Sequence, residues 1–181
     1  MIQLASNPKQ VEFSPDEMII TKTDVKGRIT YANRTFMRVA DLSEPILMGQ
    51  PHAIIRHPHM PRGVFYGLWK ALQAQQEFFG FIQNLTGSGN YYWVFANITP
   101  DYEDGKVQGY YSVRRTAPKE AVNTLKAIYQ SMNEIESSAS RSSAPEQSWS
   151  WLMDHLAKEH GISYEEFILN LYHDHQPKEL A

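Results

Sequence analysis

The sequence predicts an α+β fold: a five-stranded antiparallel sheet with short helices and one longer helix on one face, plus C-terminal helices. Three observations predict it. Two short β-branched runs joined by a tight turn stand near the N-terminus, and three longer aromatic and β-branched runs joined by tight turns follow Gln76. Between these two groups the apolar spacing is helical and is interrupted by prolines.

Met18 to Thr23 form the first extended run, Asp24-Val25-Lys26-Gly27 the turn, and Arg28 to Tyr31 its partner. Asn33 stands where a helix N-cap belongs, and Phe36, Met37, Val39 and Ala40 give an apolar face to a short helix ending near Leu42. Pro45, Pro51, Pro58 and Pro61 restrict the next stretch to short helical turns, because proline lacks an N–H and clashes inside a helix. Pro61 suits the first turn of a longer helix, in which Val64, Leu68, Ala71 and Leu72 recur at helical spacing beside Phe65 and Trp69. After Gln76 the period becomes two, with Phe79, Phe81 and Leu85 on one face. Thr86-Gly87-Ser88-Gly89-Asn90 is a hairpin loop, Tyr91 to Ile98 the next strand, Glu103-Asp104-Gly105-Lys106 a turn, and Val107 to Arg115 the last strand. Gly87-Ser88-Gly89 is no dinucleotide fingerprint, since a third glycine and a following helix are both missing.

Pro118 opens a helix through about Glu136, with Val122, Leu125, Ile128, Tyr129 and Met132 on one face. Ser137 to Ser148 reads as a Ser-rich linker. Trp149 to His160 and Ser163 to Tyr172 read as two amphipathic helices separated by Gly161, the second opened by a Ser163/Glu166 capping box.

Composition excludes several classes of function. A net charge of −3 offers no basic excess for phosphates, so no nucleic-acid partner is expected. Cysteine is absent, which removes disulfides, thiolate metal sites and cysteine nucleophiles, and also the flavin photochemistry that works through a cysteinyl adduct. No run reaches the roughly 20 apolar residues of a membrane span, and the N-terminus lacks a signal peptide, so the expected location is the cytoplasm, without membrane attachment. No paired acid and base or activated nucleophile stands out, and no enzyme is expected.

The motifs narrow the fold. Ile29-Thr30-Tyr31-Ala32-Asn33-Arg34-Thr35-Phe36 resembles the strand-to-helix segment of PAS domains. Gly49-Gln50-Pro51-His52 and Arg56-His57-Pro58-His59-Met60-Pro61 are similar to the PAS domain of bacterial aerotaxis receptors. Leu68-Trp69, Gly80-Phe81-Ile82-Gln83-Asn84, the segment Asn90 to Asn97 and Gly105 to Tyr110 fall at the same family's places. The resemblance covers about residues 13–117. It divides the chain into an N-terminal extension (1–12), a PAS sensor domain (13–117), an output or linker helix (118–136), a Ser-rich linker (137–148) and a C-terminal helical segment (149–181).

That resemblance implies a redox- or oxygen-sensing protein that binds FAD non-covalently and signals to a partner protein or through its own dimer. It carries cofactor contacts to Asn33, Arg56, His57, His59, Trp69, Phe78, Asn84 and Trp93. Arg56 and His57 suit a pyrophosphate or ring edge, Asn33 and Asn84 suit the polar edge of a flavin, and Trp69 suits an aromatic face. Two positions depart from the family, which usually has an acidic residue where His59 stands and Trp where Phe78 stands. On pattern alone Trp69, Phe78, Phe79, Phe81 and Trp93 also read as core. Two alternatives accompany the flavin reading: a haem-binding gas sensor using one of His52, His57 or His59, and a cofactor-free interaction module presenting an apolar stripe on the Trp149–Tyr172 helices. In the flavin reading the sheet carries the signal outward into the helix spanning Val122–Met132, a dimer seam.

Overall fold

The computed structural model describes residues 2–176, so 177–181 of the expected C-terminal segment lie outside the described residues. The elements in order are β1 (Ile19–Asp24), β2 (Ile29–Ala32), α1 (Arg34–Ala40), α2 (Glu44–Leu47), a 3-10 turn (His52–Ile55), α3 (Arg62–Gln73), β3 (Phe78–Leu85), β4 (Tyr91–Glu103), β5 (Lys106–Thr116), α4 (Lys119–Ser138), α5 (Ala144–Glu159) and α6 (Tyr164–Asp174). The five strands form one antiparallel sheet in the order β2-β1-β5-β4-β3. This is the expected α+β architecture. The first hairpin and the β3–β5 meander meet where β1 pairs with β5, with Thr21 opposite Ser112.

Strand alternation gives the sheet two faces. On the inner face Ile82, Asn84, Ala96, Ile98 and Arg114 look toward α3 and the 3-10 turn. On the outer face Phe95 stacks on Tyr172 of α6 with ring centroids 3.8 Å apart, and Trp93 stacks on Tyr129 of α4 at 6.2 Å. The Tyr129 hydroxyl donates to the Phe81 carbonyl at 2.8 Å, which ties α4 to β3.

Two expectations about the C-terminal third are corrected. The segment 137–148 is mostly helical: α4 runs to Ser138, and α5 begins at Ala144. Pro145 occupies the first turn of α5, where its missing N–H and fixed φ are harmless. Ser148 is buried and its hydroxyl donates to Glu136 at 2.7 Å. The apolar stripe on the last two helices is covered as well: Leu152, Leu156, Phe167, Ile168 and Tyr172 are all buried in this chain's own core. The helix stripe that the interaction-module reading would present is thus packed inside this chain.

Residues 2–12 run beside the β3–β4 hairpin, where Val11 N–H donates to the Tyr91 carbonyl at 2.7 Å and Tyr91 N–H to the Lys9 carbonyl at 3.1 Å. Among the described residues, no helix is long and apolar enough to cross a membrane.

Candidate functional site

The inner face of the sheet does not close. Small side chains lie at its centre, Thr21 opposite Ser112, with Ala96 on β4 opposite the long Arg114. Above them α3 contributes Phe65, Leu68, Trp69 and Leu72, and the 3-10 segment contributes His52 and Arg56. A cavity of about 230 Å³ remains between these layers. At one side the hairpin turn approaches α3. Gly27 sits there with φ of 74°, and a Cβ on it would press on the Trp69 ring at 3.2 Å. The Trp69 ring meets Tyr110 edge-on at 5.5 Å.

Arg114 dominates the electrostatics. It is 2% exposed, its Nη2 donates to the Thr21 hydroxyl, and its Nε and Nη1 have no protein partner. Leaving a buried donor unpaired costs about 1–3 kcal/mol, and more when it is charged. Burial holds its pKa down to about 10. Arg56 is the second guanidinium: it lies over the Phe65 ring at 3.6 Å, its Nε is also unpaired, and burial lowers its pKa. Among the described residues, no carboxylate lines the cavity.

His52 completes the set. Its Nε2 lies 3.3 Å from the Thr21 hydroxyl, and Phe36 stacks on its ring at 5.9 Å. Burial, then the charge of Arg114, pushes its pKa down to about 3, so the ring is neutral. Because Thr21 accepts from Arg114, its own hydrogen is free to be donated to Nε2, which leaves the His52 proton on Nδ1. Asn84 is 4% exposed and adds an amide to the wall beside Tyr92, its cross-strand partner. Arg56 and Asn84 are joined by a β-bridge, so the backbone itself fixes these two polar groups side by side.

Of the eight residues expected to contact a cofactor, Arg56, Trp69 and Asn84 line this cavity, and the other five do not. Asn33 is consumed as the α1 cap: its Oδ1 accepts from Phe36 N–H and Ile20 N–H, and its Nδ2 donates to the Met18 carbonyl. The His57 ring turns away, with Nδ1 accepting from His59 N–H at 3.2 Å, and burial holds its pKa down to about 4. His59 and Trp93 line a separate groove against α4, on the outer side of β3. Phe78 packs on Tyr164 and Trp149 of the C-terminal helices. Register explains the Trp93 placement, since it alternates with Ala96 and Ile98 and so faces outward. Sequence reasoning passed over Arg114, Thr21 and Tyr110. The signal was present, because Tyr110, Ser112 and Arg114 share one face of β5, and an arginine there is out of keeping with an apolar core.

Comparison with known proteins places this arrangement. Residues 29–114 match the family described as PAS fold. The aerotaxis receptor of Escherichia coli (strain K12) is 36% identical over 118 residues, which are 65% of this chain and 23% of that receptor. The nitrogen fixation regulatory protein of Klebsiella pneumoniae is 30% identical over 97 residues, 53% of this chain and 20% of that protein. The chain thus spans about a quarter or less of the curated relatives it matches. Among solved structures, the PAS domain of a Colwellia psychrerythraea protein superimposes with a TM-score of 0.51 at 23% identity, covering 55% of this chain and 85% of that one. The light-state Aureochrome1 LOV domain gives 0.55 at 16% identity, over 63% of this chain and 91% of that one. The sheet, its short helices and the cavity between them are a PAS domain, resembling that of the aerotaxis receptors.

Proposed function

We propose that this PAS domain is a redox sensor that holds the ring system of FAD in the cavity between α3 and the inner face of the sheet. One observation carries the reading: Arg114 lines the cavity, is buried, and has Nε and Nη1 unpaired, and among the described residues no carboxylate lines the cavity with it. An occupant must therefore bring its own acceptors. The polar edge of a flavin does so, while its flat apolar body suits the slot between Ile82 and Leu68 and the Trp69 ring. The similarity to a protein named aerotaxis receptor supports the same choice.

The volume limits how much of the cofactor is enclosed. About 230 Å³ is below the roughly 300–1,000 Å³ of pockets that engulf a whole drug-sized ligand. Room exists for a planar ring, and the ribose, phosphate and adenine parts of a dinucleotide would lie outside. A bound flavin supplies reversible electron uptake, with a change of charge at its polar edge. The residues of this chain then act by unequal hydrogen bonding: Arg114 and Arg56 favour whichever state is more negative, and Asn84 can donate or accept. Neutral His52 holds Thr21, and through it Arg114, in place. Signalling then passes to a partner protein or to a second copy of the chain.

The test is direct. The protein is purified without added cofactor, its absorption spectrum recorded, and any released chromophore identified by mass. Released FAD is the expected result. A Soret band would overturn the reading in favour of haem and would direct attention to His52. A colourless protein that also refuses added FAD and FMN would overturn it altogether.

A further inference from the structure

We propose that α3 is the output element of the cavity, and that the α4–α5 hairpin reads its position through a glycine seam and the Glu136 carboxylate. The inference rests on the cavity being a ligand site. It replaces the route along β5 expected from sequence with a shorter one through the helix that roofs the cavity.

The two sides of α3 do different work. Phe65, Leu68, Trp69 and Leu72 face the cavity. Gly63 and Gly67, one turn apart, lie on the opposite side and face α5. A Cβ at Gly67 would collide with the Trp149 ring, and one at Gly63 with the Ser148 hydroxyl and the Trp149 backbone. The glycines therefore bring α5 into contact with the α3 backbone itself. Close-packed surfaces of this kind transmit displacement with little slack.

Glu136, at the end of α4, locks the same junction. Its side chain is 8% exposed. One carboxylate oxygen accepts from the Gly63 N–H at 2.8 Å and from the Ser148 hydroxyl at 2.7 Å, and the other from Arg62 Nε at 3.1 Å. One carboxylate thus ties three helices together, at the N-terminus of α3, where a negative charge is favoured. On the cavity side Arg56 rests on Phe65 at 3.6 Å, so a ligand that engages this guanidinium also bears on α3. The outer face of the sheet offers no comparable freedom, because its aromatic side chains are already stacked against α4 and α6.

The experiment measures amide hydrogen exchange on the full chain, with FAD added, oxidised and then reduced with dithionite. A second arm needs no ligand: Ala96→Leu fills the cavity from the sheet side, and Ser112→Leu serves if the first variant does not fold, as judged by circular dichroism. The expected result is a several-fold change in exchange across 144–159 in both arms. In Glu136→Gln the change at 144–159 is expected to be lost while FAD absorbance is retained. If FAD is refused but the filled cavity moves 144–159, the flavin reading fails and the coupling stands. If FAD binds and 144–159 responds in neither arm, or if Glu136→Gln leaves the response intact, the coupling is overturned and the flavin reading stands.

Discussion

The two faces of one sheet are finished in opposite ways. On β4 the outward residues Trp93 and Phe95 are large and covered by Tyr129 and Tyr172, and the inward Ala96 is small and borders empty space. On β5 the inward Ser112 and Arg114 add one small side chain and one unpaired charge. The hollow is no shortage of bulk, since the chain has aromatic residues to spare and places them on the other face. On the flavin reading proposed above, a cofactor would add the volume and the acceptors that this face lacks.

The largest expected break in this contrast is on the filled face. Trp93→Ala removes a buried stacked ring, and should lower unfolding free energy in urea by about 3–5 kcal/mol; Leu72→Ala, already beside the cavity, should fall near the low end of the roughly 2–5 kcal/mol for such truncations. The opposite sign is expected at Arg114. Replacing it with Met removes an uncompensated buried charge, so the ligand-free protein should unfold at equal or higher urea concentration. FAD affinity should then drop roughly ten- to a hundred-fold, the equivalent of a hydrogen bond to a charged group worth about 1.5–3 kcal/mol.

Gly67→Ala sharpens the comparison at the roof of the cavity. The added methyl group meets the Trp149 ring, and overpacking of this kind costs about 1–3 kcal/mol in a urea melt. The smallest effect near neutral pH comes from the histidines. His52 is held down to about 3 and His57 to about 4, against 6.5 when unfolded, so below pH 6.5 the unfolded chain binds more protons. Stability is therefore full above about pH 6.5 and declines as pH falls from there toward 4. Urea midpoints at pH 7 and pH 5 should show the decline, and His52→Asn should flatten part of it.

Much of this was legible in the chain. Asn33 read as a cap and is one, with its Oδ1 on the Phe36 N–H. The same residue also read as a flavin contact, and sequence had no means of choosing, because both roles need an amide at the end of β2. Arg56, Trp69 and Asn84 fell around the cavity, whereas Trp93 and Phe78 matched by position and fold onto the C-terminal helices. Serine content made 137–148 look like a tether, yet Ser148 is buried because Glu136 reaches it from the preceding helix. Pairing across such a distance leaves no local pattern.

The elements and their order follow from local sequence, because helical and strand periodicities, caps and turn residues act over a few neighbouring positions. The same sequence shows that this chain carries no thiol. Tertiary structure alone decided which inward residues of separate strands meet around a void, and that Arg114 is left there without a counter-charge. It decided as well that α4 and α5 clasp α3. These outcomes depend on packing between segments far apart in the chain, where volume and charge are settled only when the pieces come together.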